Sequence, residues 1–416
     1  MNTKPTLRAS MAAVFTGVFL LVSGAITCKA VAAESFAEMF TQGKASAALR
    51  YRFEYVDQDN IAKVARASTL RGRLNFRTDD WNGFGAFAEF DYVADVFWDD
   101  YNAGGGNTPH KIQYPVVADP TGPDLNQAFL QWQTGAAGTL IRGGRQQIIY
   151  DNARFVGNVG WRQNEQTYDA AYFQKKVAAL DVQFAYVWQV NRIFGDDVPD
   201  GENDNASWLG NLAYQWEGVG KLTGYFYDIN NDDIAAFSSS TFGARLAGSV
   251  KLGENNFAYA AEYAHQTDAH NNPVDYSASY YRIDASLGLG TITPYFGFES
   301  LGGDNALAGA SFRTPLATLH AFNGWADIFL NTPAAGLNDL FVGIKGGWAS
   351  WNWDMIYHDF DAESGGQSLG SEFDASLGRK FAEKYGLLLK AAFFDGKSSS
   401  PYPDTTKLWV QLSAEF

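Results

Sequence analysis

Arginine recurs at alternate positions in two short segments of this chain. Arg50 and Arg52 stand in LRYRFEYV, and Arg71, Arg73 and Arg77 follow between Thr69 and Arg77. A guanidinium stays charged and takes a carboxylate through two parallel N–H bonds, so such a row suits contact with anions. The segment from Gly144 to Ala170 adds Arg145, Arg154 and Arg162 among Asp151, Glu165 and Asp169, and Arg245 and Arg282 extend the set. A second role fits the same residues. Glu54, Glu89 and Asp91 can neutralise the basic row and turn it into a brace of ion pairs, and the sequence leaves anion contact and bracing both open.

Reaction chemistry has weaker support. GQSLG, from Gly366 to Gly370, has the spacing of a nucleophile elbow, but no strand-to-helix turn follows it. DGKSS, from Asp395 to Ser399, resembles the end of a phosphate loop, yet Ala391 stands where glycine is required. His110, His265, His270, His320 and His358 form no close ligand set, and His320 is expected to be packed or hydrogen-bonded. The pairs Glu89 with Asp91 and Asp284 with Glu299 are the carboxylates a hydrolase would have to use. The acidic stretches 196–205 and 228–233 read as solvated loops, with calcium bridging lipopolysaccharide as the other reading. No enzyme activity, cofactor or metal is expected.

The elements that must position these residues alternate with period two. Leu49, Tyr51, Phe53 and Tyr55 oppose Arg50, Arg52 and Glu54, and Leu70, Gly72, Leu74 and Phe76 oppose the second basic row, because successive side chains of a strand face opposite ways. Leu180, Val182, Phe184, Tyr186, Trp188 and Val190 repeat the pattern, as do Trp208, Leu212, Tyr214 and Trp216, and Phe242 to Val250 around Arg245. Aromatics fall near the ends of the oily faces, and longer connections at 95–123 and 192–206 alternate with short turns. Both features suit a membrane barrel with interfacial girdles. KLWVQLSAEF closes the chain on an apolar face ending in Phe416. At ~9–11 residues per membrane strand plus connections, the length predicts an all-β, transmembrane antiparallel barrel of about 18 strands, with 16 as the alternative.

The N-terminus fits export. Lys4 and Arg8 precede the apolar stretch Met11 to Ile26, and small residues follow, which reads as a signal peptide (1–33) cleaved near Ala33 and leaving a barrel domain at 34–416. Cys28, the only cysteine, leaves with it, so no disulfide holds the exported chain. The net charge of −15 disfavours nucleic acid as a partner.

Two irregular segments stand out. Residues 148–164 alternate poorly and read as a loop folded into or over the lumen. In TPLATLHAFNGWADIFLNTPAAGLNDL, Leu316, Leu319, Phe322 and Phe329 recur at helical spacing, which predicts one short amphipathic helical connection over 314–333. Its apolar side would pack on the barrel with Asn323, Asp327 and Asn331 facing water, as a cap at the mouth or an interfacial anchor.

That segment and GRQQIIYDNARFVGNVGWRQNEQTYDA resemble the alginate export family of outer-membrane proteins, and the LRGRLNF strand, the leader and the final Phe416 agree with it. The resemblance implies a monomeric barrel of about 18 strands that passes an alginate-like polyuronate through an arginine-lined conduit. The residues themselves allow small acidic solutes equally, and a general diffusion porin or a barrel enzyme are the other readings. The partners expected are outer-membrane lipid and lipopolysaccharide, the barrel assembly machinery through Phe416, and an anionic polysaccharide or uronate.

Overall fold

The computed structural model describes residues 33–135 and 138–416. The expected signal peptide, apart from Ala33, lies outside the described residues. Eighteen strands, β1 (Lys44–Gln58) to β18 (Thr405–Glu415), follow one another as antiparallel neighbours, and β1 pairs with β18 to close the sheet. Closure satisfies every strand's backbone groups within the sheet, which is the condition for crossing lipid. No helix among the described residues is long and apolar enough to cross a membrane.

The alternation sorts side chains as the period predicts. Leu74, Phe76, Trp208, Leu212, Tyr214, Phe242, Leu408 and Val410 are exposed on the outer wall, whereas Arg52, Glu54 and Asp91 are buried inside. In β7 (Leu180–Asn191) the pattern breaks. A register shift between Val187 and Gln189 inserts a bulge, so Trp188 stays outside while Val187 and Val190 are both buried. Val190 therefore faces inward, against the expectation from its spacing, because one extra residue reverses every later side chain.

Short turns such as 178–179, 253–254 and 349–350 share one end with both termini, and the long connections 101–121, 147–166 and 302–336 share the other. Two connections are shorter than expected, since β3 (Phe84–Asp100) and β8 (Glu202–Trp216) continue into the stretches read as loop. Among the described residues helix is confined to α1 (Phe36–Thr41), capped by Ser35 ahead of β1, and to two 3-10 turns.

The helix expected over 314–333 does not form. One 3-10 turn at Leu319–Ala321 stands in its place. Asn323, Gly324 and Asp327 have φ of 55°, 84° and 60°, values no right-handed helix accommodates. Leu316 and Phe329 are buried and Asn331 is exposed as expected, but Asn323 and the Asp327 carboxylate are buried too. The segment neither caps the mouth nor anchors at the interface; it enters the lumen.

Candidate solute pathway

The loop between β5 (Thr139–Gln146) and β6 (Thr167–Val177) folds into the barrel, as its poor alternation predicts. Phe155 drives the burial: its ring lies 5.2 Å from Tyr225, 5.2 Å from Tyr280 and 5.8 Å from Phe312. Charged residues fix the loop's position. Arg154 Nε donates to Glu299 Oε1 at 2.6 Å, Nη1 to Thr314 Oγ1 at 3.2 Å and Nη2 to Asn323 Oδ1 at 3.0 Å. Arg162 donates to Glu54 Oε2 at 2.9 Å and to Asp327 Oδ2 at 3.1 Å. Asp151 accepts from Lys221 and from Thr223 Oγ1. Burial pushes the Glu165 carboxyl up, but Arg73 and Arg71 outweigh it and hold the group below its usual range.

The loop between β13 (Ile292–Leu301) and β14 (Leu337–Trp348) meets the first inside the lumen. Val156 and Leu316 form a parallel bridge, Gly157 N donates to Leu316 O at 2.8 Å, and Thr318 N donates to Ala153 O at 2.9 Å. Asp327 is the common anchor of both loops and the wall, accepting from Arg162 and from Lys407 Nζ at 2.9 Å and lying 2.7 Å from His320 Nδ1. Two backbone donors complete the tie: Ala326 N to Glu372 Oε1 at 2.6 Å and Trp325 N to Asp374 Oδ2 at 3.1 Å.

His320 is packed and hydrogen-bonded, as expected. Its ring stacks on Trp161 at 4.4 Å, and Lys390 Nζ lies 2.6 Å from Nε2. Burial pushes the imidazole down to about 3, Lys390 and Arg162 adding to the effect while Asp327 opposes it. The neutral ring donates from Nδ1 to Asp327 and accepts at Nε2 from Lys390. Burial raises the Asp327 carboxyl, but His320, Lys407 and Arg162 together hold it well below the usual carboxylate range.

Most arginines singled out from sequence face this lumen and are already paired. Arg73 takes Asp91 through Nε at 2.7 Å and Nη2 at 2.6 Å, and lies 3.5 Å from Glu89. Arg71 lies 3.7 Å from Glu165, Arg52 lies 3.6 Å from Asp119 and 4.0 Å over the Trp161 ring. Arg245 meets Glu262 at 3.4 Å, and Arg282 joins Asp284 at 2.8 Å and Glu299 at 3.4 Å. For these residues the bracing role is the one the geometry carries. It also occupies both carboxylate pairs that a hydrolase would need.

Three arginines behave differently. Arg50 hydrogen-bonds to Gln163 Oε1 at 2.9 Å and to the Gly160 carbonyl at 3.0 Å, both neutral. Arg77 lies 5.0 Å over the Phe87 ring, and Arg142, absent from the sequence-derived set, lies 4.4 Å over Phe129. None of the three has a carboxylate partner among the described residues. Arg145 and Asp169, by contrast, belong to the other face of the wall. Arg145 sits across from Ala128, between inward-facing Gln127 and Phe129, and pairs with Asp169 at 2.9 Å. Asp169 in turn lies between the buried Tyr168 and Ala170. Three positions separate Arg142 from Arg145, so strand parity admits only one of them to the lumen.

Comparison with known proteins gives a consistent picture. The profile of a family described as alginate export matches residues 42–291. No curated protein matches the chain. Among solved structures, OccAB4 of Acinetobacter baumannii superposes with a TM-score of 0.69 and 15% identity, covering 90% of this chain and 98% of its own. OccK8 (OprE) of Pseudomonas aeruginosa gives 0.68 and 13%, covering 91% and 99%. OpdK of the same organism, in a structure with vanillate, gives 0.67 and 14%, again over 91% and 99%. At such identities the likeness is one of fold.

Proposed function

The chain belongs to the alginate export family, and on that premise we propose that it is an outer-membrane channel for small acidic solutes. The observation that carries this reading is the pair of inward loops, 147–166 and 302–336, tied to each other and to the wall by Arg154, Arg162 and Asp327. Loops tied across the lumen in this way narrow it, which favours small molecules over a polymer. On the β1–β6 stretch of the wall Arg50, Arg77 and Arg142 lack carboxylate partners among the described residues, while Glu372 and Asp374, three strands from β1, are engaged by loop backbone N–H groups.

A low-dielectric wall focuses the field of unpaired cations, while charges on solvent-exposed outer loops are screened over a Debye length of ~8 Å, so placement outweighs net charge. Arg52, Arg71, Arg73, Arg245 and Arg282 then set the shape of the path, and Arg50, Arg77 and Arg142, which lack carboxylate partners, give it its preference. Passage of a polyuronate chain is the second reading, favoured by the family. The OpdK structure with vanillate shows an aromatic carboxylate with a barrel of this fold, which agrees with the first.

A planar bilayer under a salt gradient tests the proposal. The reversal potential should report anion preference, and Arg50→Gln together with Arg77→Gln should move it towards neutrality. Monomeric uronate should permeate liposomes carrying the protein, whereas long polyuronate should only reduce the current. A closed or cation-selective parent channel would remove the proposal; free passage of long polyuronate would establish the second reading.

A further inference from the structure

We propose that a side pocket on the inner wall, between β2 (Ala65–Arg77) and β6, is a binding site for a single small hydroxylated monocarboxylate. The cavity has a volume of about 350 Å³ and is bounded by the wall and by residues 147–150 of the first inward loop. It lies towards the short-turn end of the barrel, beneath the point where that loop enters.

Its wall carries a file of alternating charge and ring. The Arg77 guanidinium lies 5.0 Å over Phe87, the Phe87 and Phe129 rings are 5.3 Å apart, and Arg142 lies 4.4 Å over Phe129 and 5.9 Å from Tyr172. A guanidinium resting on a ring face keeps its N–H edges free for a carboxylate. Neither arginine has a carboxylate partner among the described residues, and Arg142 Nε is buried with no hydrogen-bond partner at all. Elsewhere in the lumen Arg52, Arg71, Arg73, Arg154 and Arg162 all face acids. Two neighbouring cations and an unmet donor beside an open cavity call for one anion.

The remaining polar groups narrow the ligand further. Gln147 and Gln174 donate their amide N–H groups to Glu165 and Asp181, and Tyr172 donates its hydroxyl to Gln183. These side chains still offer their amide and phenolic oxygens as acceptors and the second amide N–H of Gln147 as a donor, a set that suits hydroxyl groups, which both donate and accept, on a ligand beside its carboxylate. The volume matches one sugar-sized ring. The site thus differs from a conduit for polymer: it holds a monomer to one side of the passage.

This inference rests on reading the lumen as a path for acidic solutes, and its test needs no conduction. The purified barrel in detergent is titrated calorimetrically with glucuronate, glucose and acetate. Glucuronate should bind saturably at one site per chain, acetate more weakly and glucose not at all. Arg142→Gln should weaken glucuronate binding about tenfold or more, and Arg142→Lys less, since a lysine keeps the charge and loses the fork. Arg379→Gln should leave binding unchanged, because Arg379 lies over Trp351 and Phe381 on the outer wall. Heat-modifiable migration checks that each variant is folded. Equal binding of glucose, or unchanged glucuronate affinity in folded Arg142→Gln, overturns the site. Binding without anion-selective current would uphold the site and remove the channel reading; current without binding would do the reverse.

Discussion

His320 shows how much one side chain can decide. In a loop released from the lumen its imidazole would titrate near 6.5, and docked against Trp161 it titrates near 3. Between those values the released loop binds the extra proton, so protonation favours release. The docking that His320 supports is complete above pH 6.5 and is lost as the pH falls towards 3. Asp327, held below its usual range, acts in the same direction at lower pH. The groups facing this pair are Lys390 on β17 (Tyr385–Gly396), Lys407 on β18, and Arg162 with Trp161 on the other loop. Single-channel conductance in bilayers should therefore rise on acidification from pH 7 to about 4. His320→Gln, which cannot take up the proton, should flatten the profile, and a flat profile in the parent would refute the account. Asp327→Asn should raise conductance at neutral pH, because it weakens three ties at once and leaves Arg162 and Lys407 without their shared counter-ion.

Among the elements, the loop 302–336 depends on one backbone position. Gly324 has φ of 84°, and a Cβ there would lie 2.4 Å from the Glu372 carboxylate. Gly324→Ala should cost about 1–3 kcal/mol of docking through strain and collision together. Faster hydrogen exchange in 314–333, with the strands unchanged, is the expected readout. This loop also marks where sequence reading stops. Strand faces were legible because period two is a local property, and β1, β8 and β18 are oriented as their alternation implies. The 3.6-like spacing of Leu316, Leu319, Phe322 and Phe329 reflects residues reaching buried neighbours from irregular backbone, which periodicity alone cannot tell from a helix. The bulge in β7 and the choice between Arg142 and Arg145 turn on a parity that one inserted residue or two adjacent glycines obscure. The tie between Arg154 and Glu299 joins positions 145 residues apart, and no local pattern announces it. The acids beside the basic rows made bracing one of the two open readings, and the pairs of Arg52, Arg71 and Arg73 carry it; Arg77 and Arg142 pack on rings instead, which the sequence pattern does not show.

At the scale of the whole molecule, the purified protein should give a β-dominated circular dichroism spectrum and migrate faster unheated than boiled; a helical spectrum would contradict the closed sheet. Replacing Phe416 by Asp should reduce insertion into the outer membrane, measured as surface-labelled protein, if the terminal aromatic is what the assembly machinery reads. The closed sheet also imposes an order in time. Ala47 exchanges backbone hydrogen bonds with Phe416 at 2.8 and 3.1 Å, and Arg52 reaches Gln411 across 359 positions of chain. Every other strand pairs with a neighbour made just before it, but β1 must wait for the last strand to arrive. Until then both margins of the growing sheet stay open to any passing strand, and the longest loop closure in the molecule is still unmet. The β1–β18 junction is thus the final stitch, and a chain stalled before it is an adhesive ribbon that must be kept from its own kind.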